Sequence, residues 1–296
     1  MPKIRVSQSV SGFKERAIKT WGLEEWQGYT EENEEVLFFG LYTKHDYDTF
    51  LRHKGKKIVF WCGSDVLMLL SNYESRRIIK LFPDTIHWCE NQVEEEELKR
   101  VGLKPKVCPS FLDSIYKYPV TFKPDKEPHI FLCGHANRED EYGWGLVERL
   151  AERLPTHTFH IYGAPKQEKL SIIDKLNEID TRLPNIIYHG KVEEEQFNKE
   201  IQNYQCGLRT NEHDGFSEVI AKNILNGGYP ISKIKYPHIW HYETEEDLVE
   251  RLIELKYQTE PNLEGRSYYI KKFNQYDFNK KRLVVSEKDF YKLNGK

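Results

Sequence analysis

The chain contains no Cys-x-x-Cys pair, and its five cysteines (Cys62, Cys89, Cys108, Cys133, Cys206) are odd in number and scattered over 296 residues. They suggest neither a disulfide framework nor a zinc site, and a reducing, cytoplasmic compartment is expected. No stretch approaches the roughly 18 consecutive apolar residues of a spanning helix. The opening MPKIRVSQSV lacks the apolar centre of a signal peptide, so a soluble protein is expected. Excess charge of one sign is missing too: 44 basic and 47 acidic residues leave a formal net charge of −3. That balance withholds the polyelectrolyte attraction behind unspecific nucleic-acid binding. There is no G-x-x-x-x-G-K-[ST], no G-x-S-x-G and no H-E-x-x-H. The nearest approach to G-x-G-x-x-G, Gly143-Trp144-Gly145, lacks its third glycine and lies far past its strand. P-loop nucleotidases, serine hydrolases, zincins and dinucleotide oxidoreductases therefore lose their anchors.

What is present is a globular composition, 39% hydrophobic and 31% charged, in a chain about twice the usual domain length. Short apolar runs alternate with longer amphipathic stretches, the pattern of parallel sheets covered by helices. Strands are expected over 36–42 (VLFFGLY), 57–61 (KIVFW), 85–89 (TIHWC) and 105–109 (PKVCP), with a further first strand over 4–7. The segment 11–29 has no clear period and receives no element. PVTFKPDKEPH, with three prolines and no period, reads as a linker over 121–127. A second series follows, with strands over 130–133, 158–162, 185–189, 205–208 and 229–232. Helices around 144–154, 165–178, 193–203, 217–226 and 245–255 go with them, and the Val147, Leu150, Ala151, Leu154 spacing fits one helical face. The expected fold is α/β, two Rossmann-like doubly wound domains over 1–120 and 128–262 whose facing strand ends form a cleft, with a helical tail over 263–296. The acidic run Glu94–Glu97 reads as a solvated helix start. His87 and Cys89 share one strand face and read as core.

The segment CGLRTNEHDGFSEVIAKNILNGGYPIS, residues 206 to 232, carries the most chemistry. Arg209, His213, Asp214, Gly215 and Ser217 directly precede a helix whose first N–H groups and positive dipole end suit an anion. Gly215 lacks the side chain that would block close approach, and Arg209 adds a forked cation. A phosphorylated ligand is one reading; ordinary capping by Asp214 or Ser217 is the other, and it leaves Arg209 and His213 unexplained.

This segment resembles the donor-binding signature of GT-B glycosyltransferases, most closely the family 4 group. Asp214-Gly215-Phe216-Ser217 matches the acidic-Gly-Phe loop, Val219-Ile220 the helix start and Gly227 the terminating glycine. Cys133-Gly134, Tyr162-Gly163 and His189-Gly190 fall where that fold puts ligand-facing loops. Trp61-Cys62-Gly63-Ser64-Asp65 resembles the H-G-S-D strand end of the acceptor domain. Two positions depart from the pattern. Lys222 stands where the family has its second acidic residue, and a lysine only donates. Tyr142 stands where a lysine is usual. Glu218, one turn before Lys222, can supply an acceptor while Lys222 reaches a phosphate, or the two can form a surface ion pair.

The resemblance implies transfer of a sugar from a nucleotide-diphosphate sugar to a carbohydrate or other hydroxyl acceptor, with retention, cations replacing any metal and no cofactor beyond the co-substrate. It implies Arg138 and Arg209 at the diphosphate and His213 and Asp214 near sugar hydroxyls. Glu218 and Lys222 would lie toward ribose or phosphate, and Gly190-Lys191-Val192 along the base. Asp65, beside Gly63 and Ser64, would face the acceptor, or else cap the following helix. The competing functions are a sugar-nucleotide 2-epimerase and a non-catalytic nucleotide-sugar or glycan-binding module. Glucosylation of DNA bases is a further one, which the net charge disfavours.

Overall fold

The computed structural model describes residues 1–134, 142–163 and 182–273. Arg138, the helix expected around 165–178 and the tail beyond residue 273 lie outside the described residues. The chain divides into two compact units. Of the described residues, the first holds Met1–Ser114, His213–Phe216 and Lys271–Phe273; the second holds Ile115–Glu212 and Ser217–Ile270.

The first unit is a five-stranded parallel sheet in the order β1 (Lys3–Val6), β2 (Val36–Phe39), β3 (Lys57–Phe60), β4 (Ile86–Cys89), β5 (Pro105–Val107). VLFF and KIVF are buried at every position because they are the inner strands of a sheet covered on both faces. Alternate residues go to opposite sides: Val36, Phe38 and Val59 into one core, Leu37, Phe39, Ile58 and Phe60 into the other. Helices α2 (Lys44–Arg52), α3 (Ser64–Ser71), α4 (Tyr73–Lys80) and α5 (Gln92–Arg100) follow β2, β3 and β4. Helix α1 (Lys14–Trp21) lies in the segment that showed no period. It is one short helix between 3-10 turns, and only Ala17 and Trp21 are buried. Trp21 packs 5.6 Å from the Phe39 ring and 5.5 Å from Phe60, and Ala17 joins the same core. Two contacts at i and i+4 are too few to leave a periodic signal.

The second unit is a six-stranded parallel sheet in the order β11-β10-β9-β6-β7-β8. Its strands are β6 (His129–Cys133), β7 (Thr158–Tyr162), β8 (Ile186–Gly190), β9 (Cys206–Arg209), β10 (Ile231–Ser232) and β11 (Trp240–His241), the last too short to read from sequence. Its described helices are α6 (Trp144–Arg153), α7 (Glu194–Glu200), α8 (Glu218–Leu225), α9 (Glu245–Leu255) and α10 (Leu263–Phe273). β6 lies between β7 and β9, so the strand order reverses there, and in doubly wound sheets ligands bind beyond the strand ends at that reversal. The proline-rich linker is pinned to the end of α8: Thr121 and Phe122 N–H groups donate to Asn226 O at 3.0 and 3.1 Å. Buried Arg266 adds donors to Tyr118 O and Leu225 O.

One face of this sheet carries a polar ladder. His129 Nδ1 is 2.8 Å from His160 Nε2, and His160 Nδ1 is 2.9 Å from His189 Nε2. His189 Nδ1 lies 3.6 Å from Glu200, whose carboxylate also accepts from the Tyr162 hydroxyl at 2.6 Å. Burial and the two neighbouring rings push His160 down to about 3, so the central ring of the ladder is neutral.

Candidate functional site

In the second unit the strand ends at the reversal are glycine-lined and interlocked. Gly134 N–H donates to Tyr162 O at 2.9 Å, and Gly163 N–H to Gly190 O at 2.8 Å. Gly163 has φ +114°, and a Cβ on it would fall 1.9 Å from Gly134 O. Gly190, at φ +66°, has open space around it. At Gly134 the missing side chain makes room for Trp144, whose Nε1 a Cβ would approach to 2.7 Å, and for Tyr142, and at Gly163 it makes room for the Gly134 carbonyl.

Arg209 ends β9 beside that row. Its guanidinium lies 5.0 Å from the Tyr142 ring, a cation–π contact that orients the cation. The tyrosine that departs from the family pattern thus serves the arginine. Next to it Gly143, at φ +68°, sits on Thr210, whose hydroxyl a Cβ would approach to 2.7 Å. Ser217 caps α8 and accepts from Val219 N–H. Lys222 is not on the surface: its side chain is 3% exposed, with Nζ 3.3 Å from Glu194, 3.7 Å from Glu218 and 5.1 Å from the Phe197 ring. The surface ion pair expected with Glu218 is a buried lysine shared by two partly exposed carboxylates. Burial pushes the Cys133 thiol up to about 12, and the charges of Arg209 and Lys222 pull against that rise. Both cations therefore flank the end of β6. Lys191 is exposed, and Val192 packs under the Phe131 cluster.

The loop His213–Phe216 folds with the first unit. Glu90, at the end of β4, accepts from Phe216 N–H at 2.9 Å, and a Cβ on Gly215 would fall 1.8 Å from that same carboxylate oxygen. Asn91 donates to Asp214 O at 2.8 Å, and Glu97 lies 2.9 Å from His213 Nε2. Gly63, at φ +107°, lets the start of α3 approach Gly215; a Cβ there would stand 3.0 Å from Gly215 N. The absent side chain of Gly215 makes room for Glu90, a use that the sequence had assigned to a ligand.

Glu90 is pushed up to about 8, by burial first, against hydrogen bonds from Ser110 and Phe216. Glu94, fully buried and accepting from Glu90 N–H at 2.6 Å, is raised as well by burial and by Glu90. The acidic run is therefore only partly solvated. Asn91 caps α5 through Glu94 N–H, turning Glu94 inward, and Glu97 follows three residues later on the same face.

Asp65 has no exposed surface. It accepts from the N–H groups of Leu41 at 3.2 Å, Cys62 at 3.0 Å and Val66 at 3.0 Å, and burial pushes its carboxyl up to about 6. The cap position of α3 belongs to Gly63, and Asp65 instead ties two strand-end loops together. Ser64 is exposed. His87 is buried as core and accepts from Trp61 Nε1 at 3.3 Å. Among the described residues, no group of three or more His, Cys, Asp or Glu side chains is placed to hold a metal ion.

No protein-family model and no curated protein sequence matches the chain. Solved structures do. The lipopolysaccharide outer core galactosyltransferase WaaB superposes with a TM-score of 0.62 at 14% identity, covering 94% of this chain and 97% of that one. Anabaena HepE in complex with UDP gives 0.60 at 13%, covering 80% and 74%. The fold is GT-B. S. aureus TarM, in a complex that includes UDP, gives 0.58 at 13% and covers 82% of this chain, which spans about half of the TarM chain. Within the GT-B framework, Gly134, Gly163, Gly190, Arg209 and Lys222 gather at the strand ends of the second sheet. His213, Asp214, Gly215 and Phe216 gather with Gly63 in the first unit. Glu90, Asn91 and Glu97 belong to that second group and were missed from sequence. Glu90-Asn91 ends a strand and opens a helix, a ligand-facing place in doubly wound sheets that could have flagged them.

Glu90 provides a pH test. Its folded-state value of about 8 lies above the ordinary 4.5, so the folded protein holds a proton that the unfolded chain releases. Stability therefore falls as pH rises through that window, by about 1.4 kcal/mol per pH unit for one group. Glu90→Gln removes the proton exchange, and urea unfolding at pH 7.0, 7.5 and 8.0 is expected to show a flatter dependence than wild type. Equal slopes would refute a protonated Glu90.

Proposed function

We propose that the protein is a glycosyltransferase that moves a sugar from a nucleotide-diphosphate sugar to an acceptor hydroxyl, without a metal or other cofactor. The observation that carries this reading is the juxtaposition at the β6–β9 reversal: Gly134 and Gly163 at the ends of β6 and β7, Arg209 oriented by Tyr142, and the capped start of α8. Solved structures of the same fold support it, among them HepE with UDP-glucose. The diphosphate leaves with developing negative charge, which preorganised cations and peptide dipoles stabilise. Phe216 N–H already donates to Glu90, so the charge falls chiefly on Arg209, joined by Arg138. Lys222 draws together Glu218 and Glu194, two partly exposed carboxylates of the kind that accept from ribose hydroxyls, and Gly190-Lys191-Val192 borders the base. Exposed Ser64 faces the acceptor, a carbohydrate or other hydroxyl compound, with nucleic acid disfavoured by charge. Asp65 acts through the loops it ties. Retention is the outcome that the family 4 resemblance implies. No described helix is long and apolar enough to cross a membrane, and a cytoplasmic site of action fits the unpaired thiols.

Thermal unfolding with UDP, GDP, ADP and their sugars tests the reading. A ligand at 100 times its dissociation constant adds about 2.7 kcal/mol. Arg209→Ala is expected to abolish the shift while leaving the unliganded melting point nearly unchanged. A nucleotide released only when an acceptor is supplied marks transfer, and an altered sugar without acceptor marks epimerisation. Stabilisation without turnover marks a binding module, the reading that Lys222 in the acidic position favours. No shift with any nucleotide sinks the proposal.

A further inference from the structure

Helix α3 is apolar on the side that faces solvent as well as on the side that faces the core. Val66 and Leu69 are buried in the core of the first unit. Ser64, Leu67, Met68 and Ser71 recur at i, i+3, i+4 and i+7 and form an exposed stripe. A helix on the surface of a globular unit normally carries charge there. In SDVLMLLS the one charge is Asp65, which has no exposed surface. Leu67 stays 42% and Met68 45% exposed, and Tyr73 and Leu81, at the two ends of α4, extend the patch at 69% and 60%. The helix cannot turn to hide its stripe. Asp65 accepts from the N–H groups of Leu41, Cys62 and Val66, and a rotation would break these bonds and lift Val66 and Leu69 from the core. Nor is the corner between α3 and α4 slack: Asn72 caps α4 through Ser75 N–H at 3.0 Å, and Arg76 Nη1 donates to Leu69 O at 3.3 Å and to Leu70 O.

Charge decides what covers the patch. Between Val66 and Leu81 three cations, Arg76, Arg77 and Lys80, stand against Glu74 alone, in a chain whose net charge is −3. Tyr73, Arg77, Lys80 and Leu81 are exposed and share the outer face of α4 at i, i+4, i+7 and i+8. Helix α3 also packs against α5, which carries the acids Glu95, Glu96 and Glu97. The charges are thus sorted to the two flanks of α3, cations on the α4 flank. Arginine and lysine stems lie over apolar ground while their heads stay at a charged boundary, and tyrosine rings settle at the same depth. An apolar stripe edged by cations and a tyrosine therefore complements an anionic bilayer, whose acyl boundary takes the stripe and whose phosphates take the cations. A second copy of the chain fits less well, because a two-fold contact would bring two sets of like charges together. We propose that the outer face of α3 and α4 docks the protein on an anionic lipid bilayer, with Leu67 and Met68 entering the acyl boundary and Arg77 and Lys80 meeting lipid phosphates. The attachment is peripheral, involves only residues of the first unit and needs no nucleotide sugar, so it goes beyond the glycosyl-transfer reading.

Sedimentation of the full chain with lipid vesicles is the test, using phosphatidylcholine alone and equal parts of phosphatidylcholine and phosphatidylglycerol. Wild type is expected to bind the mixed vesicles roughly tenfold or more tightly than the neutral ones, and to lose that preference at high salt. Arg77→Glu combined with Lys80→Glu is expected to remove the preference. Leu67→Ser combined with Met68→Ser is expected to weaken binding to mixed vesicles by roughly tenfold or more. All four are surface positions, so both double variants are expected to melt close to wild type. Tyr257→Ser, in the second unit and 75% exposed, is the control and leaves binding unchanged. Failure of wild type to bind mixed vesicles, full retention of binding by either double variant, or an equal loss in Tyr257→Ser overturns the docking surface. A lipid-free dimer that Leu67→Ser with Met68→Ser abolishes, without vesicle binding, assigns the face to a second copy and overturns it too. Each of these results leaves glycosyl transfer standing, since donor binding is read separately from the thermal shift with nucleotides.

Discussion

Gly163→Ala is expected to destabilise the protein by about 3–5 kcal/mol, among the largest effects of any single methyl group in this chain. Two costs combine. At φ +114° a side chain is strained whatever the space around it, and the added Cβ would sit 1.9 Å from Gly134 O, far inside contact distance. That oxygen is backbone and cannot swing aside as a side chain would, because Gly134 N–H is itself bonded to Tyr162 O across the β6–β7 ladder. Relief requires moving a strand end. The melting temperature is expected to fall by on the order of 10 °C for a unit of this size. Gly190→Ala is the control: at φ +66° with nothing within reach, it meets only the left-handed penalty of about 1–2 kcal/mol. Equal losses in the two variants would contradict the interlocked row.

The histidine ladder is expected to make stability strongly acid-sensitive. Neutral His160 donates from one ring nitrogen and accepts at the other, so an added proton turns that acceptor into a donor facing a neighbouring ring nitrogen, His129 Nδ1 or His189 Nε2. Its folded value of about 3 lies below the ordinary 6.5, so the unfolded chain binds the proton more readily. The contribution is complete above pH 6.5 and is lost as pH falls toward 3, by about 1.4 kcal/mol per pH unit. His189 and His157, also lowered by burial, add in the same direction. Asp65 and Glu90 titrate with the opposite sign over part of this range, so the informative quantity is a difference. Urea unfolding at pH 7, 6 and 5 is expected to give a steeper loss for wild type than for His160→Phe. Parallel lines would show that the ladder carries no such proton debt.

The alternation of apolar runs with amphipathic stretches was legible because parallel strands buried on both faces leave little freedom in composition: VLFF, KIVF, IFLC and TFHIY all stand where sheets of this kind require them. Strand β11, with two residues, and helix α1, with two buried side chains, were not legible, since neither buries enough to impose a period. At the site, Arg209 and the glycine ends were readable because they lie where strand, loop and helix succeed one another in the chain.

The amino-acid order alone determined that two sheets form, where most of their strands lie, and that a polar loop with Arg209 precedes a capped helix. These are local matters, set by neighbours within a few positions. Only the tertiary structure decided what the loop residues touch: that Gly215 yields its space to Glu90, that His213 is held by Glu97, that Lys222 is buried between two carboxylates, and that Asp65 is enclosed. Glu90 meets Phe216 across 126 positions and Glu97 meets His213 across 116. A contact at that separation depends on where whole strands and helices come to rest, and local spacing carries no record of it.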